Sequence, residues 1–489
     1  MGCSGSKPTT VATQPQGSVP SSFKEKERPP EVQAAMDRLQ DEMADVKDRA
    51  IAWAAQNPDS WWVAHGGTEL EPLAHVLSLV DAKWLLGFAK GEHMPKLEGV
   101  VPALQRRPAA SFVNIEKLRA GADFRGLPLG IISYGWAAKH QCALGLRALP
   151  ITTCARACPA EALLCHLAER GAFRACVCAL CLVYRCSPDP TGEQLASLVP
   201  VLQLIVAHFY DDQNSAFGLG WDFMSLPQYG NTSETPLEKG HDGDDRTPEQ
   251  LAQFALALGT INVWYGHPRT LTIVHNVAMP ASALNQTEYG RRGWCIFELT
   301  ISSIIKDNTC FIEVSKFGTS AVEDWGALIL RCRARRPAPV APDVFRTMMI
   351  EGTEREAAVP GSGIRFTSGK DLTEIVIPQY KEGFVRLFGQ SLKLVYATLA
   401  WGDNEAAALS AALAYAGRVG ALDKCESISL DGNMITDIGA GDLITMLRDK
   451  TVKTPRLQRF TCYGNRFSSV CKAQIKEAAR ERSIATVGV

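Results

Sequence analysis

Between residues 127 and 315, short apolar runs alternate with stretches of helical periodicity. The predicted strands lie within residues 127–136 and 218–228, where each runs into a turn or loop, and at residues 270–275 and 309–314. The predicted helices cover residues 192–209, 248–264 and 289–305. Strands that alternate with helices are typical of a parallel sheet with helices on both faces. We therefore expect an α/β fold for this part of the chain.

The chain begins Met1-Gly2-Cys3-Ser4-Gly5-Ser6-Lys7. Loss of the methionine exposes Gly2, and Ser6 occupies the position that the N-myristoylation motif requires. One myristoyl chain binds membranes only marginally, with a constant of roughly 10⁴ M⁻¹, so stable anchoring needs a second signal. A cysteine beside a myristoylated glycine, here Cys3, is a usual palmitoylation site. These residues predict a lipid anchor, and a chance Met-Gly-Cys start is the alternative.

Composition and charge argue against a nucleic-acid-binding, membrane-spanning or secreted protein. The chain has 489 residues, 46% of them hydrophobic, and a formal net charge of −1, which gives no bias towards nucleic acid. The chain has no run of eighteen apolar residues, and its start lacks a basic region followed by an apolar run. We therefore expect neither a membrane-spanning helix nor a secretory signal. We expect a peripheral protein on the cytosolic face of a membrane, with membrane lipid as its partner through the acyl chains.

Composition shifts divide the chain into five parts. The predicted domains are a disordered lipidated tether (1–30), a helical region (31–126), an α/β domain (127–330), a linker with a strand-helix extension (331–391) and a tail of strand-helix units (392–489). Residues 331–342 contain four arginines and three prolines, which favours a solvated connector.

Eight cysteines lie within residues 137–187, between Cys142 and Cys186. Without an export signal, we expect these thiols to stay reduced. Zinc sites usually show two pairs of ligands around a polar spacer, whereas the spacing here is irregular and the context is rich in Ala and Leu. Buried structural thiols are therefore the preferred interpretation, with a metal site as the alternative, and no metal ligands are assigned.

The tail contains a weak repeat with a period of 32 residues. Residues 428–435 recur as residues 460–467, so that Asn433 and Asn465 occupy equivalent positions, and a helical pattern follows each unit. The pattern resembles a leucine-rich repeat of the ribonuclease-inhibitor type, in which the asparagine bonds backbone groups at the turn. The resemblance implies recognition of protein partners, and capping or docking is equally compatible with so short an array.

Three segments of residues 127–315 resemble the TIR-like fold, including its heterokaryon-incompatibility (HET) branch. Ser133 and Tyr134 end the first strand, where such domains carry a Ser-Phe or Ser-Tyr pair. Asp222, after Trp221, and Gln228 resemble the second-strand motif of HET domains. The stretch from Trp294 to Leu299 resembles both the Trp-Cys-x-x-Glu-Leu stretch of plant TIR domains and the Arg-x-Trp-x-x-x-Glu stretch of HET domains.

This resemblance implies a flavodoxin-like parallel sheet and a site at the carboxyl ends of its strands. In TIR enzymes the equivalent of Glu298 helps to hydrolyse the nicotinamide-ribose bond of NAD. A carboxylate can stabilise the positive charge that develops on the ribose as this bond breaks. The resemblance thus suggests Glu298 as the catalytic residue. The residues expected to bind the nucleotide are Ser133, Tyr134, Trp136, Asp222, Gln228 and Trp294.

Structural roles are the alternative for these residues, because an acid near the start of a helix also stabilises the helix. Many TIR-like domains signal by self-association without catalysis, and here an insertion of about 55 residues follows the first strand. We therefore expect a membrane-tethered signalling or scaffold protein that can form a homo-oligomer. An NAD hydrolase is the alternative, with NAD as substrate and no cofactor required.

The lipid anchor gives a first testable expectation. Substitution Gly2→Ala removes the acceptor for myristate and should move the protein from the membrane to the soluble fraction, because palmitate alone would have to hold it. The matched variant Cys3→Ser keeps myristate and should weaken membrane binding only in part. Fractionation of cells that express each variant measures both effects. A Gly2→Ala protein that stays on membranes would contradict the lipid anchor.

Overall fold

The structure is a computed structural model that describes residues 29–92, 104–135, 189, 192–211, 215–228, 246–281, 283, 285–317, 322–332, 336–366 and 368–489. The predicted lipidation sites Gly2 and Cys3, the predicted site residue Trp136 and the cysteine-rich insertion at residues 137–187 lie outside the described residues.

The fold is mixed α/β, and most of its strand pairs are parallel. The strands are β1 (Val80–Asp81), β2 (Leu129–Tyr134), β3 (Gly218–Gly220), β4 (Leu271–His275), β5 (Phe311–Glu313), β6 (Lys393–Val395), β7 (Ser427–Ser429), β8 (Arg459–Thr461) and β9 (Thr486–Gly488). The first sheet has the order β1-β3-β2-β4-β5, and the second sheet has the order β6-β7-β8-β9. Among the strand pairs of the described residues, β1 with β3 is the antiparallel one.

Helices cover both faces of the first sheet. Those before β4 are α1 (Pro30–Gln56), α2 (Trp61–Ala64), α3 (Gly67–Val76), α4 (Ala82–Ala89), α5 (Ile115–Arg125), α6 (Glu193–Phe209), α7 (Asp222–Ser225), α8 (Pro248–Gly259) and α9 (Ile261–Gly266). Those after β4 are α10 (Gly293–Ser302), α11 (Trp325–Cys332), α12 (Pro342–Ala358), α13 (Ile377–Gln390), α14 (Asp403–Arg418), α15 (Asp437–Arg448) and α16 (Ser469–Glu481). None of the described helices is both long enough and apolar enough to cross a membrane.

The central strand β2 is buried along its whole length. Its residues alternate between the two faces of the sheet, as the pleat requires. Ile131 joins the core formed with α9 and α10, whereas Ile132 joins the core formed with α4 and α6. Burial on both faces explains why the strand reads as a continuous apolar run in the sequence.

The edge strand β1 differs from the sequence expectation, which placed only helices in residues 31–126. Val80 pairs with Leu219 of β3, in antiparallel direction, and Asp81 then caps α4 by accepting a hydrogen bond from Trp84 N at 2.8 Å. A strand of two residues between helices is too short to show a period of its own. It closes the edge of the sheet beside β3.

The tail consists of strand-helix units whose turns are joined by asparagine side chains. Asn433 is buried, and its Oδ1 accepts hydrogen bonds from the backbone N–H groups of Leu399 and Trp401. Its Nδ2 donates to the carbonyl oxygens of Tyr396 and Leu430. Asn465 repeats this arrangement one unit later. Both asparagines therefore join the turns of neighbouring units through backbone groups.

Residues 331–342 do not form a solvated connector throughout, as the sequence analysis expected. Arg336 is buried, and its guanidinium donates to the carbonyl oxygens of Lys306 and Val395. Its own carbonyl accepts a hydrogen bond from Trp401 Nε1 at 2.6 Å. The arginine therefore joins the first sheet's domain to the tail. The charge of this segment led us to expect exposure to solvent. A buried arginine whose guanidinium bonds to carbonyl groups cannot be recognised from composition.

The junction predicts that the tail stabilises the rest of the chain. Trp401 is fully buried, so Trp401→Ala should lower the free energy of unfolding by about 3–5 kcal/mol, and deletion of residues 392–489 should lower it further. Val470→Ala is the matched control, because Val470 is 66% exposed. Denaturant titrations compare the variants. An unchanged midpoint for the truncated protein would show that the tail is an independent module.

Candidate functional site

The candidate site lies at the carboxyl end of β2, where the strand order reverses. Strand β2 lies between β3 and β4, and the chain runs from β2 to β3 and then crosses to β4. Helix α6, which precedes β3, packs on one face, whereas α9, which precedes β4, packs on the other. Ligands of open α/β sheets bind in the crevice outside the strand ends at such a reversal. Ser133 and Tyr134 are the last two residues of β2.

A chain of hydroxyl groups leads to the Glu298 carboxyl group. Ser133 is fully buried, and its Oγ donates a hydrogen bond to Glu298 Oε2 at 2.5 Å. The Tyr289 hydroxyl lies 2.5 Å from the same Oγ. Either hydroxyl can be the donor in this contact, and the Tyr289 hydroxyl also donates to the Cys295 carbonyl at 3.3 Å. We call Ser133, Tyr289 and Glu298 the Glu298 cluster.

A second pair lies on the opposite face of the strand end. Tyr134 points towards the core that contains Trp221, and its hydroxyl donates to Asp222 Oδ1 at 2.6 Å. The Tyr134 and Trp221 rings pack edge to face, with centroids 5.3 Å apart. Glu298 therefore bonds Ser133 and not Tyr134. The two acids still interact, because the charge of Asp222 contributes to the raised pKa of Glu298.

The Glu298 carboxyl group has a strongly shifted pKa. Desolvation raises this pKa from 4.5 to about 8, and the hydrogen bond from Ser133 opposes the shift. Burial also raises the pKa of Tyr289 and Tyr134 well above 10, so both phenols stay protonated. Glu298 itself is half-buried, which leaves part of the side chain accessible. An acid whose pKa lies close to neutrality can hold or release a proton during a reaction.

Two of the predicted binding residues have their polar groups engaged elsewhere. Trp294 Nε1 donates to Asp371 Oδ2 at 2.9 Å, so its polar edge is held by the extension at residues 331–391. Gln228 is buried, and its Nε2 donates to the carbonyl oxygens of Leu226 and Asp222. Both interactions stabilise segments that flank the site. The structure brings together Ser133, Tyr134, Asp222 and Glu298 of the predicted set.

Sequence reasoning missed three residues beside the site. Tyr289 bonds Ser133, and Tyr265 forms a hydrogen bond that lowers the pKa of Glu298. Arg292 is buried, and its side chain passes directly over Gly135, where a Cβ would lie 2.5 Å from Arg292 Nε. Arg292 begins the Arg-x-Trp-x-x-x-Glu stretch, which was a usable signal. The two tyrosines have no comparable spacing signal.

The beginning of α6 does not offer a free anion site. Asp189 is buried, and its carboxylate accepts hydrogen bonds from Leu195 N at 2.7 Å and Gln194 N at 3.2 Å. Burial raises the pKa of Asp189 to about 6. The protein's own carboxylate therefore occupies the position that a phosphate would take at this helix. Within the described ranges, no three His, Cys, Asp or Glu side chains converge to hold a metal ion.

The chain matches no protein-family model, and comparisons with curated proteins and with solved structures gave no match.

The raised pKa of Glu298 predicts a pH-dependent stability. Between pH 4.5 and 8 the folded state holds a proton that the unfolded chain releases, so stability should fall as the pH rises through this window. Glu298→Gln stays neutral and should remove the effect, giving a difference from the wild type on the order of 1–3 kcal/mol at pH 8. Denaturant titrations at pH 5 and pH 8 measure it.

The matched control is Glu354→Gln, at an exposed position of α12. This variant should follow the wild type at both pH values. If Glu298→Gln shows the same pH dependence as the wild type and the control, the carboxyl group has an ordinary pKa in the folded protein.

Proposed function

We propose that this chain is a lipid-anchored, TIR-like signalling protein in which Glu298 cleaves the nicotinamide-ribose bond of NAD. The observation that carries the proposal is the hydrogen bond from Ser133 to Glu298 at the carboxyl end of the central strand. These two residues are 165 positions apart in the sequence and belong to two different segments that resemble the TIR-like fold. Their contact supports a TIR-like arrangement, as does the flavodoxin-like order of the parallel strands β3-β2-β4-β5.

The main requirement of this reaction is a carboxylate held beside the ribose, where positive charge develops. The bond between C1′ of the ribose and the nicotinamide nitrogen breaks, and its electron pair goes to the ring, which leaves as neutral nicotinamide. Ionised Glu298 stabilises the positive charge that remains on the ribose. Water then adds at C1′ and loses a proton, which gives ADP-ribose. Ser133 orients the carboxylate through its hydrogen bond and is in turn held by Tyr289.

A scaffold without catalysis is the second candidate, and one observation favours it. The polar groups of the site bond one another: Tyr134 bonds Asp222, and Tyr289 bonds Ser133, which bonds Glu298. A network that satisfies itself needs no ligand to be stable. In this case the tail, with its leucine-rich-repeat-like units, would dock a protein partner. The exposed side chains of Ile438 and Val470, which start α15 and α16, would be part of that surface.

The catalytic proposal is tested with protein clustered on lipid vesicles and supplied with NAD. The wild type should release nicotinamide, and Glu298→Ala should abolish the release because it removes the carboxylate that stabilises the ribose charge. The activity kcat/KM should rise with pH through about pH 8, since the ionised form is the active one. Chromatographic measurement of nicotinamide follows the reaction.

Glu354→Ala, at the exposed position on α12, is the matched control and should keep full activity. Circular dichroism should show the same fold for both variants. If the clustered wild type releases no more nicotinamide than Glu298→Ala or empty vesicles, the catalytic proposal is wrong and the scaffold remains.

A further inference from the structure

Two arginines lie side by side at the start of the helix that carries Glu298. Arg292 and Arg365 are partners in an isolated parallel bridge. The backbone N–H of Arg365 donates to the Arg291 carbonyl at 2.8 Å, and the N–H of Gly293 donates to the Arg365 carbonyl at 2.9 Å. Residues that are partners across two strands place their side chains on the same face. Both side chains also contact the same residue, because Arg292 Nε donates to the Thr287 carbonyl and Arg365 Nη1 to Thr287 Oγ1.

Arg292 provides a fixed charge at the carboxyl end of β2. Its Nε donates to the Thr287 carbonyl at 2.7 Å, and its Nη2 donates to the Asn285 carbonyl at 3.0 Å. The side chain lies against Gly135, the first residue after β2, and a larger residue there would collide with the guanidinium. The positive charge is thus held one residue beyond Tyr134, beside the Glu298 cluster.

Arg365 is the accessible member of the pair. It is exposed, and it forms no ion pair within the described part of the chain. Its side chain donates a long hydrogen bond from Nη1 to Thr287 Oγ1, at 3.5 Å. The neighbouring Arg291, by contrast, is paired with Glu356 at 2.8 Å. Like charges placed opposite each other are unfavourable. Burial lowers the pKa of Arg292, and the neighbouring charge of Arg365 acts in the same direction. A bound anion would relieve this repulsion.

We propose that Arg365, supported by Arg292, binds the phosphate of a ribosyl 5′-phosphate or diphosphate whose ribose lies at Glu298. This inference rests on the proposed function for the position of the ribose. Six residues separate Arg292 from Glu298 along α10, a rise of about 9 Å. Two residues separate Gly135 from Ser133 along β2, a rise of about 7 Å. A ribose with its 5′-phosphate bridges a gap of this size.

Binding can be measured without turnover. Isothermal titration of the full chain carrying Glu298→Gln, with pyrophosphate and with ADP-ribose, gives the affinity of the site. Adding Arg365→Ala should weaken both affinities at least about tenfold, because one charge-assisted contact is lost. Arg365→Lys should recover part of the loss. Nicotinamide riboside, which has no phosphate, should bind both proteins equally.

The matched control is Arg466→Ala. Arg466 is also exposed and also lies in an isolated parallel bridge, with Thr436 in the tail, so its loss should leave both affinities unchanged. Equal pyrophosphate affinity with and without Arg365 would overturn the inference, as would no binding to either protein. Loss of binding to phosphatidylserine vesicles in Arg365→Ala, with pyrophosphate binding unchanged, would assign the arginine to lipid instead.

The two proposals fail in different ways. A protein that binds pyrophosphate through Arg365 but releases no nicotinamide keeps this inference and loses the catalytic one. A protein that cleaves NAD with the same KM in the wild type and in Arg365→Ala keeps the catalytic proposal and loses this one.

Discussion

The pleat of β2 is the constraint on which the site depends. Successive residues of a strand point to opposite faces, so a strand that is buried on both sides must carry apolar side chains almost to its end. In β2 this leaves only its last two positions for polar chemistry, Ser133 towards α10 and Tyr134 towards the core around Trp221. One strand end therefore sets up two polar pairs on opposite faces. A shift of one residue in register would exchange them and place a tyrosine against Glu298.

A second constraint is the pair of buried cations that joins the sheet domain to the tail. Lys306 is buried, and its ammonium donates to the carbonyl oxygens of His267 and Thr270, each at 2.7 Å, and to Thr270 Oγ1 at 3.1 Å. The Lys306 carbonyl accepts a hydrogen bond from the Arg336 guanidinium. The central carbon of this guanidinium lies 5.2 Å from the centre of the Tyr396 ring. Burial lowers the pKa of Lys306 to about 7. Carbonyl and hydroxyl oxygens, and not carboxylates, therefore accept the hydrogen bonds of both side chains. Arg336 also donates to the Val395 carbonyl, which connects the sheet domain to the tail.

Much of the architecture could be predicted from the sequence because periodicity reflects burial. The strands β2 and β4 and the helices α1, α6 and α10 lie where the pattern of apolar residues placed them, since each has one consistent buried face. The contact of Ser133 with Glu298 was foreseeable only through the family resemblance. Tyr289, Arg336 and Arg365 were not foreseeable, because each acts through backbone groups or a tertiary contact that leaves no spacing in the chain.

A strap formed by residues 364–366 and 368–371 packs against the start of the helix that carries Glu298. It contributes Arg365 to the bridge with Arg292, and its Phe366 ring lies where a Cβ on Gly293 would be, 2.1 Å from that position. Asp371 then accepts the hydrogen bond from Trp294 on the same helix. Only glycine fits at position 293, so the strap fixes the start of α10 by close contact as well as by hydrogen bonds. The strap leads directly into α13, whose Tyr380, Phe384 and Phe388 belong to the core shared with the tail. The start of the helix that carries Glu298 is therefore held by residues outside the sheet, and these residues lead into the core shared with the tail.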